Sequence, residues 1–221
     1  YIRDFKICEK FKKKILTLSF ERRIDELKKI MVLSNFESML MLKKIREFLE
    51  LSLNCEFDLN GFIKLCKLER EINNVSFERR IKYLIRKRKV KKLGFLNFLN
   101  KNEQQRITKR IDDINFALKN VLYLLYVTDK ELVIDHVIYA LIEKKITESE
   151  FSMLYREAKN FKRKKFPVNG VDLISIGFKE GKKIGNVLID TKKWWIGNNF
   201  KPLKNQCIKY ALQFLPSSSG R

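Results

Sequence analysis

The sequence predicts an all-α fold, and three observations carry that expectation. Only 3 prolines and 8 glycines punctuate 221 residues. Apolar residues recur at helical spacing through most of the chain, with no sustained apolar–polar alternation of strand type. Helix-start signatures, a capping side chain with an acid in the first turn, precede several of the apolar runs.

Taken in order, the first clear helix opens at Ser19, an N-cap with Glu21 facing the helix dipole. Phe20, Ile24, Leu27 and Met31 then form one apolar seam. A second helix is predicted from Glu37 to about Leu53, and a short one from Gly61 to Leu68. Another starts near Ser76, with Phe77, Ile81 and Leu84 on its apolar face. Asn102 to about Asn120 follows. Thr128 with Glu131, and Thr147 with Glu150, are spaced as capping boxes for helices to about Lys144 and Phe161. The last two helices are predicted at Gly181–Ile196 and Pro202–Leu215, the latter with proline in its first turn. Residues 216–221 have the composition of a flexible tail. The hexapeptide Ser-Phe-Glu-Arg-Arg-Ile occurs twice, at Ser19–Ile24 and Ser76–Ile81. The flanks diverge at once, so shared helix-start chemistry accounts for it better than a structural repeat.

Lys plus Arg number 48 against 26 Asp plus Glu, a formal net charge of +22. Such a balance calls for an anionic partner, nucleic acid above all, although a solvated Lys-rich surface is the plainer alternative. No stretch approaches the ~18 consecutive apolar residues of a membrane span. The first residues lack a signal-peptide core, so a cytoplasmic location is the expectation. Cys8, Cys55, Cys66 and Cys207 form no Cys-x-x-Cys pair, and His136 is the one histidine, so no zinc site of usual spacing is expected.

Two basic segments stand out. Lys82 to Lys92 holds seven basic residues in eleven, and Lys82, Arg86 and Lys89, with Lys87 beside them, are spaced as a stripe on one helix face. Such a stripe tracks phosphates without reading sequence; the plainer alternative is a solvated face. The second cluster is Lys159, Lys162, Arg163, Lys164 and Lys165. It runs directly into a segment where Gly170, Gly177, Gly181 and Gly185 interleave with apolar residues. Glycines there permit tight turns and close helix approach, and backbone N–H groups at such turns can hold phosphates. A compact helical turn whose glycines serve packing alone also fits. Trp194 and Trp195, adjacent on a helix, must point differently, so one is expected in the core and the other is open to stacking on RNA.

Pro167, Gly170, Asp172, Leu173, Gly177, Gly181, Gly185 and Leu188 together resemble the C-terminal segment of the CCA-adding tRNA nucleotidyltransferases, a family that also contains bacterial poly(A) polymerases. Leu18 to Leu27 is similar to that family's neck helix, Ser-x-Glu-Arg-Ile-x-x-Glu-Leu, with one extra basic residue before Ile24. The middle of the chain agrees in helical character and charge only. The resemblance implies an elongated multi-helix array without the α/β catalytic head: a neck at 1–54, a body at 55–161 and a glycine-containing tail at 162–215. It implies tRNA as partner, for which the four glycines of the matching segment and the basic residues read from charge, Lys82, Arg86, Lys87, Lys89, Lys162, Arg163, Lys164 and Lys165, are the expected contacts. It also implies a supporting role for Glu21, Arg22 and Glu26 under an active site. The head's signatures, a Gly-Ser followed by Asp-x-Asp and the neck's Glu-Asp-x-x-Arg, do not occur in these 221 residues. The adjacent acids Asp112–Asp113 and Asp25–Glu26 diverge by about 100° on a helix and suit a shared metal poorly. The chain alone is therefore expected to hold no metal or cofactor and to transfer no nucleotide; magnesium, CTP and ATP belong with the head, which another chain can supply. A non-catalytic nucleic-acid module and a helical scaffold for an acidic protein are the competing readings. No membrane partner is expected.

Overall fold

The computed structural model describes residues 19–33, 35–53, 58–86, 94–109, 121–179 and 181–215. These are all-α, without a strand among them. The helices are α1 (Phe20–Met31), α2 (Phe36–Met39), α3 (Lys43–Leu53), α4 (Leu59–Glu71), α5 (Phe77–Ile85), α6 (Lys101–Thr108), α7 (Val121–Val127), α8 (Lys130–Ile142), α9 (Glu148–Asn160), α10 (Gly170–Ser175), α11 (Lys182–Gly197) and α12 (Lys204–Ala211). Short 3-10 turns lie at Gly94–Phe98 and Leu212–Phe214. The single helix expected from Glu37 is broken into α2 and α3. The one expected over 102–120 is described only as α6, and residues 110–120 lie outside the described residues.

The chain divides into two compact units. Unit 1 is Tyr1–Ile111 with Asp135–Ser152; unit 2 is Asp112–Ile134 with Met153–Arg221. Within unit 1, α1 packs on α5, and α2 on α4.

Side chains set the helix starts. Ser19 and Ser76 accept the Arg22 and Arg79 N–H groups at 3.4 and 3.2 Å. Asp58 accepts the Gly61 N–H at 3.0 Å, and Asn100 with Glu103 closes a capping box. The Thr147–Glu150 box forms as the spacing predicts, at 2.8 Å and 3.2 Å. α8 opens at Asp129, which accepts the Glu131 N–H at 3.0 Å, one residue beyond the predicted Thr128.

Four helices end on the same device. The residue after the cap takes positive φ, and its own N–H and that of the following residue reach back to carbonyls of the last turn. It is Asn73 after α4, Lys144 after α8, Gly177 after α10 and Asn199 after α11. For Gly177 the bonds are its own N–H to the Ile174 oxygen (3.0 Å) and the Phe178 N–H to the Leu173 oxygen (3.1 Å).

The core of unit 1 takes Ile24, Leu27 and Met31 from α1, Phe36 from α2, Leu49 from α3, Phe62 and Leu65 from α4, and Ile81 from α5, all buried. Each such side chain contributes about 1.5–3 kcal/mol relative to exposure. Within the same unit lies a cluster of buried charges. Glu69 accepts from Arg79 Nη1 (3.1 Å) and Arg80 Nε (2.5 Å), and Asp135 accepts from Arg79 Nε (2.7 Å) and Lys82 Nζ (2.7 Å). Arg80 also donates to the Met31 carbonyl, and Tyr139 donates to the Arg79 carbonyl at 2.7 Å. Burial raises the Glu69 carboxyl above its usual range, against the pull of Arg80 and Arg79. Burial likewise lowers Lys82, against the pull of Asp135. Desolvation thus opposes the charged form at both ends of the cluster, as a low-dielectric interior requires. Cys66, packed nearby, is a free buried thiol that burial pushes up to about 12, which makes it inert at neutral pH.

Candidate nucleic-acid interface

The basic stripe expected on α5 is not an exposed face. Lys82 is 2% exposed and committed to Asp135. Arg86 is half-buried over the Tyr83 ring, 3.5 Å from its centroid, and donates to Glu143 at 3.1 Å. Lys87 and Lys89 lie outside the described residues. The physical reason is the neighbouring helices. α5 is surrounded closely enough that Phe77 and every residue from Arg79 to Ile85 are buried, so its cations find acids inside the fold instead of water. An Ala substitution at Lys82 therefore tests the core of unit 1 and not a binding surface.

The second cluster has the opposite character. α9 ends at Asn160, and 161–166 continues as irregular chain. Lys162, Arg163, Lys164 and Lys165 are all exposed, between half-buried Phe161 and Phe166. Phe161 sits 5.9 Å from the Phe200 ring and Phe166 5.3 Å from the Trp195 ring. Those two rings anchor both ends of the basic run. The cations then lie over aromatic faces: Arg163 at 5.8 Å from Tyr126, Lys164 at 5.7 Å from Phe200, and Lys192 at 5.4 Å from Phe166. Arg163 also donates to the Thr128 carbonyl at 3.3 Å, and Lys130 to the Lys159 carbonyl at 3.3 Å. The segment thus holds a row of positive charge whose backbone is pinned while its side chains stay in solvent.

The glycine segment follows at once. Asn169 accepts the Asp172 N–H at 3.0 Å and Asp172 accepts the Asn169 N–H at 2.9 Å, a capping box for α10. The Lys204 ammonium, 2.6 Å away, and that Asn169 N–H hold Asp172 below the usual carboxylate range. Leu173 enters a core with Val168, Phe178, Ile184, Trp195 and Cys207. Close backbone approach, expected at all four glycines, is found at none of them. A Cβ at Gly170 or Gly177 would meet its nearest neighbour, Ile184 or Leu215, at ordinary contact distance (3.9 and 3.8 Å), and one at Gly181 or Gly185 would meet nothing. Gly177 and Gly181 are required by backbone angle instead, with φ of 102° and 133°. At Gly61 of unit 1, by contrast, a Cβ would collide with the Tyr83 hydroxyl and the Asp58 carboxylate.

Two substitutions separate these roles. Gly177→Val should destabilise unit 2 by roughly 1–3 kcal/mol, because the φ is strained for any L side chain. Gly185→Ala should stabilise by about 0.5–1 kcal/mol, since the position is helical and open. Melting of the two variants beside the wild type checks both signs.

Trp195 is buried and donates its indole N–H to the Pro202 carbonyl at 3.0 Å, while Trp194 is half-buried at the surface. Glu21 and Arg22 are exposed on α1, and Glu26 pairs with Lys29 at 2.8 Å along the same helix. His136 lies on α8 with its ring 6.2 Å from Tyr139. Among the described residues no group of three His, Cys, Asp or Glu side chains is placed to hold a metal ion, and no helix is long and apolar enough to cross a membrane.

Sequence reasoning missed the aromatic anchors. The visible signal was the spacing of Phe161 and Phe166 on either side of an uninterrupted basic run. It also missed Asp135, whose signal was a carboxylate inside the apolar run Leu132–Ile142. Comparison with protein-family models and with curated proteins finds no match to this sequence.

Proposed function

We propose that the chain is the RNA-gripping part of a tRNA 3′-end nucleotidyltransferase, acting in the cytoplasm to hold the acceptor arm for a catalytic head that lies outside these 221 residues. The observation that carries this reading is the row Lys162–Lys165, four exposed cations in sequence on a backbone pinned by Phe161 and Phe166. It is followed by the segment that resembles the family's tail, where Gly181, Lys183 and Gly185 leave the first turns of α11 open at the surface. Folded RNA is recognised chiefly by shape and phosphate contacts, because its major groove is too narrow for side chains. A fixed row of cations beside an accessible backbone suits that mode. CTP, ATP and magnesium enter only with the head.

The test is a salt series of tRNA binding. With about six phosphates engaged, affinity should fall by roughly 10³ between about 50 and 200 mM salt. A fully formed tRNA should outcompete heparin. Equal affinity for tRNA and heparin would replace this reading with a nonspecific polycation, and no binding to either would favour a scaffold for an acidic protein.

A further inference from the structure

Beyond phosphate contacts, unit 2 carries an aromatic run that the proposed function does not use. Trp194 of α11 and Tyr210 of α12 lie ring on ring, 4.5 Å between centroids and 8° from parallel. Phe214, in the 3-10 turn after α12, meets the Tyr210 ring edge-on at 5.6 Å. The run starts beside the core residue Trp195 and ends at Phe214, which is 41% exposed. Lys193 and Lys209 are exposed immediately beside Trp194 and Tyr210 in sequence, and α12 has no acidic residue. We infer, resting on the RNA-binding reading above, that Phe214 and the ordered pair behind it form a stacking platform for one unpaired base of the bound RNA.

The chemistry fits that occupant. An unpaired nucleotide offers a flat π face with an anionic phosphate on either side. An exposed ring on a unit that also carries the exposed cations Lys162–Lys165 answers both parts, and stacking tolerates any base. The Trp194–Tyr210 stack fixes Tyr210, so the ring that carries Phe214 is ordered before the base arrives and less freedom is lost on binding. The platform lies on the unit that holds the Lys162–Lys165 row, so one RNA would use pairing-independent charge contacts and a single-strand contact on one body.

The experiment compares two RNA hairpins, identical except that one has a short single-stranded tail and the other is blunt, binding to the full chain. The wild type should prefer the tailed hairpin. Phe214→Ala and Phe214→Leu should each lose that preference, with tailed-hairpin affinity falling about tenfold, while blunt-hairpin affinity and the salt slope stay unchanged. Phe214→Tyr should retain the preference. The Leu variant keeps apolar volume without a π face, so retention of the preference in it would overturn the platform and point to simple apolar contact. Unchanged tailed-hairpin binding in both variants would overturn the platform while leaving RNA binding in place. Failure of the wild type to bind either hairpin would instead overturn the RNA-binding reading, and the platform with it. Concentration-dependent dimerisation abolished by Phe214→Ala would assign the ring to self-association and also overturn the inference.

Discussion

Replacing Glu69 with Ala should destabilise unit 1 by about 3–5 kcal/mol, the cost of removing one partner from a buried ionic cluster. Glu69 accepts bonds from Arg79, Arg80 and the Ser76 N–H, and its side chain is fully buried. Without it Arg79 retains Asp135 and the Asn74 carbonyl, but Arg80 is left with the Met31 carbonyl and no carboxylate bond among those described. A guanidinium in that position has lost its hydration without recovering an ion pair. Urea unfolding at neutral pH measures the effect, and a loss below about 1 kcal/mol would mean that water reaches the cluster. The pair Glu69→Ala and Arg80→Ala should be non-additive, the double variant losing less than the sum, because each single change strands the other's charge. The pH dependence has a definite sign. Burial raises Glu69 above its usual 4.5, so the native state binds this proton more tightly than the unfolded chain. The carboxyl's contribution is complete below 4.5 and declines as pH rises through the folded value. The stability gap between wild type and Glu69→Ala should therefore widen on acidification from neutral pH toward 4.5.

Replacing Lys162, Arg163, Lys164 and Lys165 together with Ala should cut tRNA affinity by roughly 10³ at about 0.1 M salt and flatten the salt slope by about 0.9 per lost phosphate contact. Melting should change little, since all four side chains are exposed and the anchors Phe161 and Phe166 are kept. The cation–aromatic contacts of Arg163 and Lys164 are each worth only about 0.5–1 kcal/mol at an exposed site. Anisotropy titrations across a salt series give the slope. An unchanged slope would remove this row from the interface. The Lys82→Ala variant provides the contrast, with a large loss of stability and no specific change in slope, because its ammonium is already neutralised by Asp135.

Periodicity was sufficient for the all-α class, and capping side chains for several helix starts, because these depend on local physics. A Ser, Asn or Thr side chain one turn from a free N–H caps a helix wherever the helix lies. Ser19, Ser76 and Thr147 cap as their spacing predicts. The cap after α10 was legible in part: glycine at 177 signalled a turn, but its φ of 102° and its likeness to Asn73, Lys144 and Asn199 required the backbone. The candidate interface was legible as charge at Lys162–Lys165. Its anchoring was not, because Phe200, Trp195 and Tyr126 come from parts of the chain far away in sequence.

The duplicated hexapeptide draws the dividing line. Ser19–Ile24 and Ser76–Ile81 are identical, and in both the serine caps a helix and the isoleucine is buried. Composition and spacing determined that much. The arginines then part company. Arg22 is exposed and Arg23 half-buried over Phe20 on α1, whereas Arg79 and Arg80 are buried and bound by Glu69, with Arg79 also held by Asp135. No local rule distinguishes the copies, since a guanidinium's fate depends on whether a carboxylate waits in a low-dielectric neighbourhood. Glu69 comes from α4 and Asp135 from α8, 53 residues beyond Lys82, and only the packing of those helices around α5 turned a basic run that suits phosphate into the ionic core of unit 1.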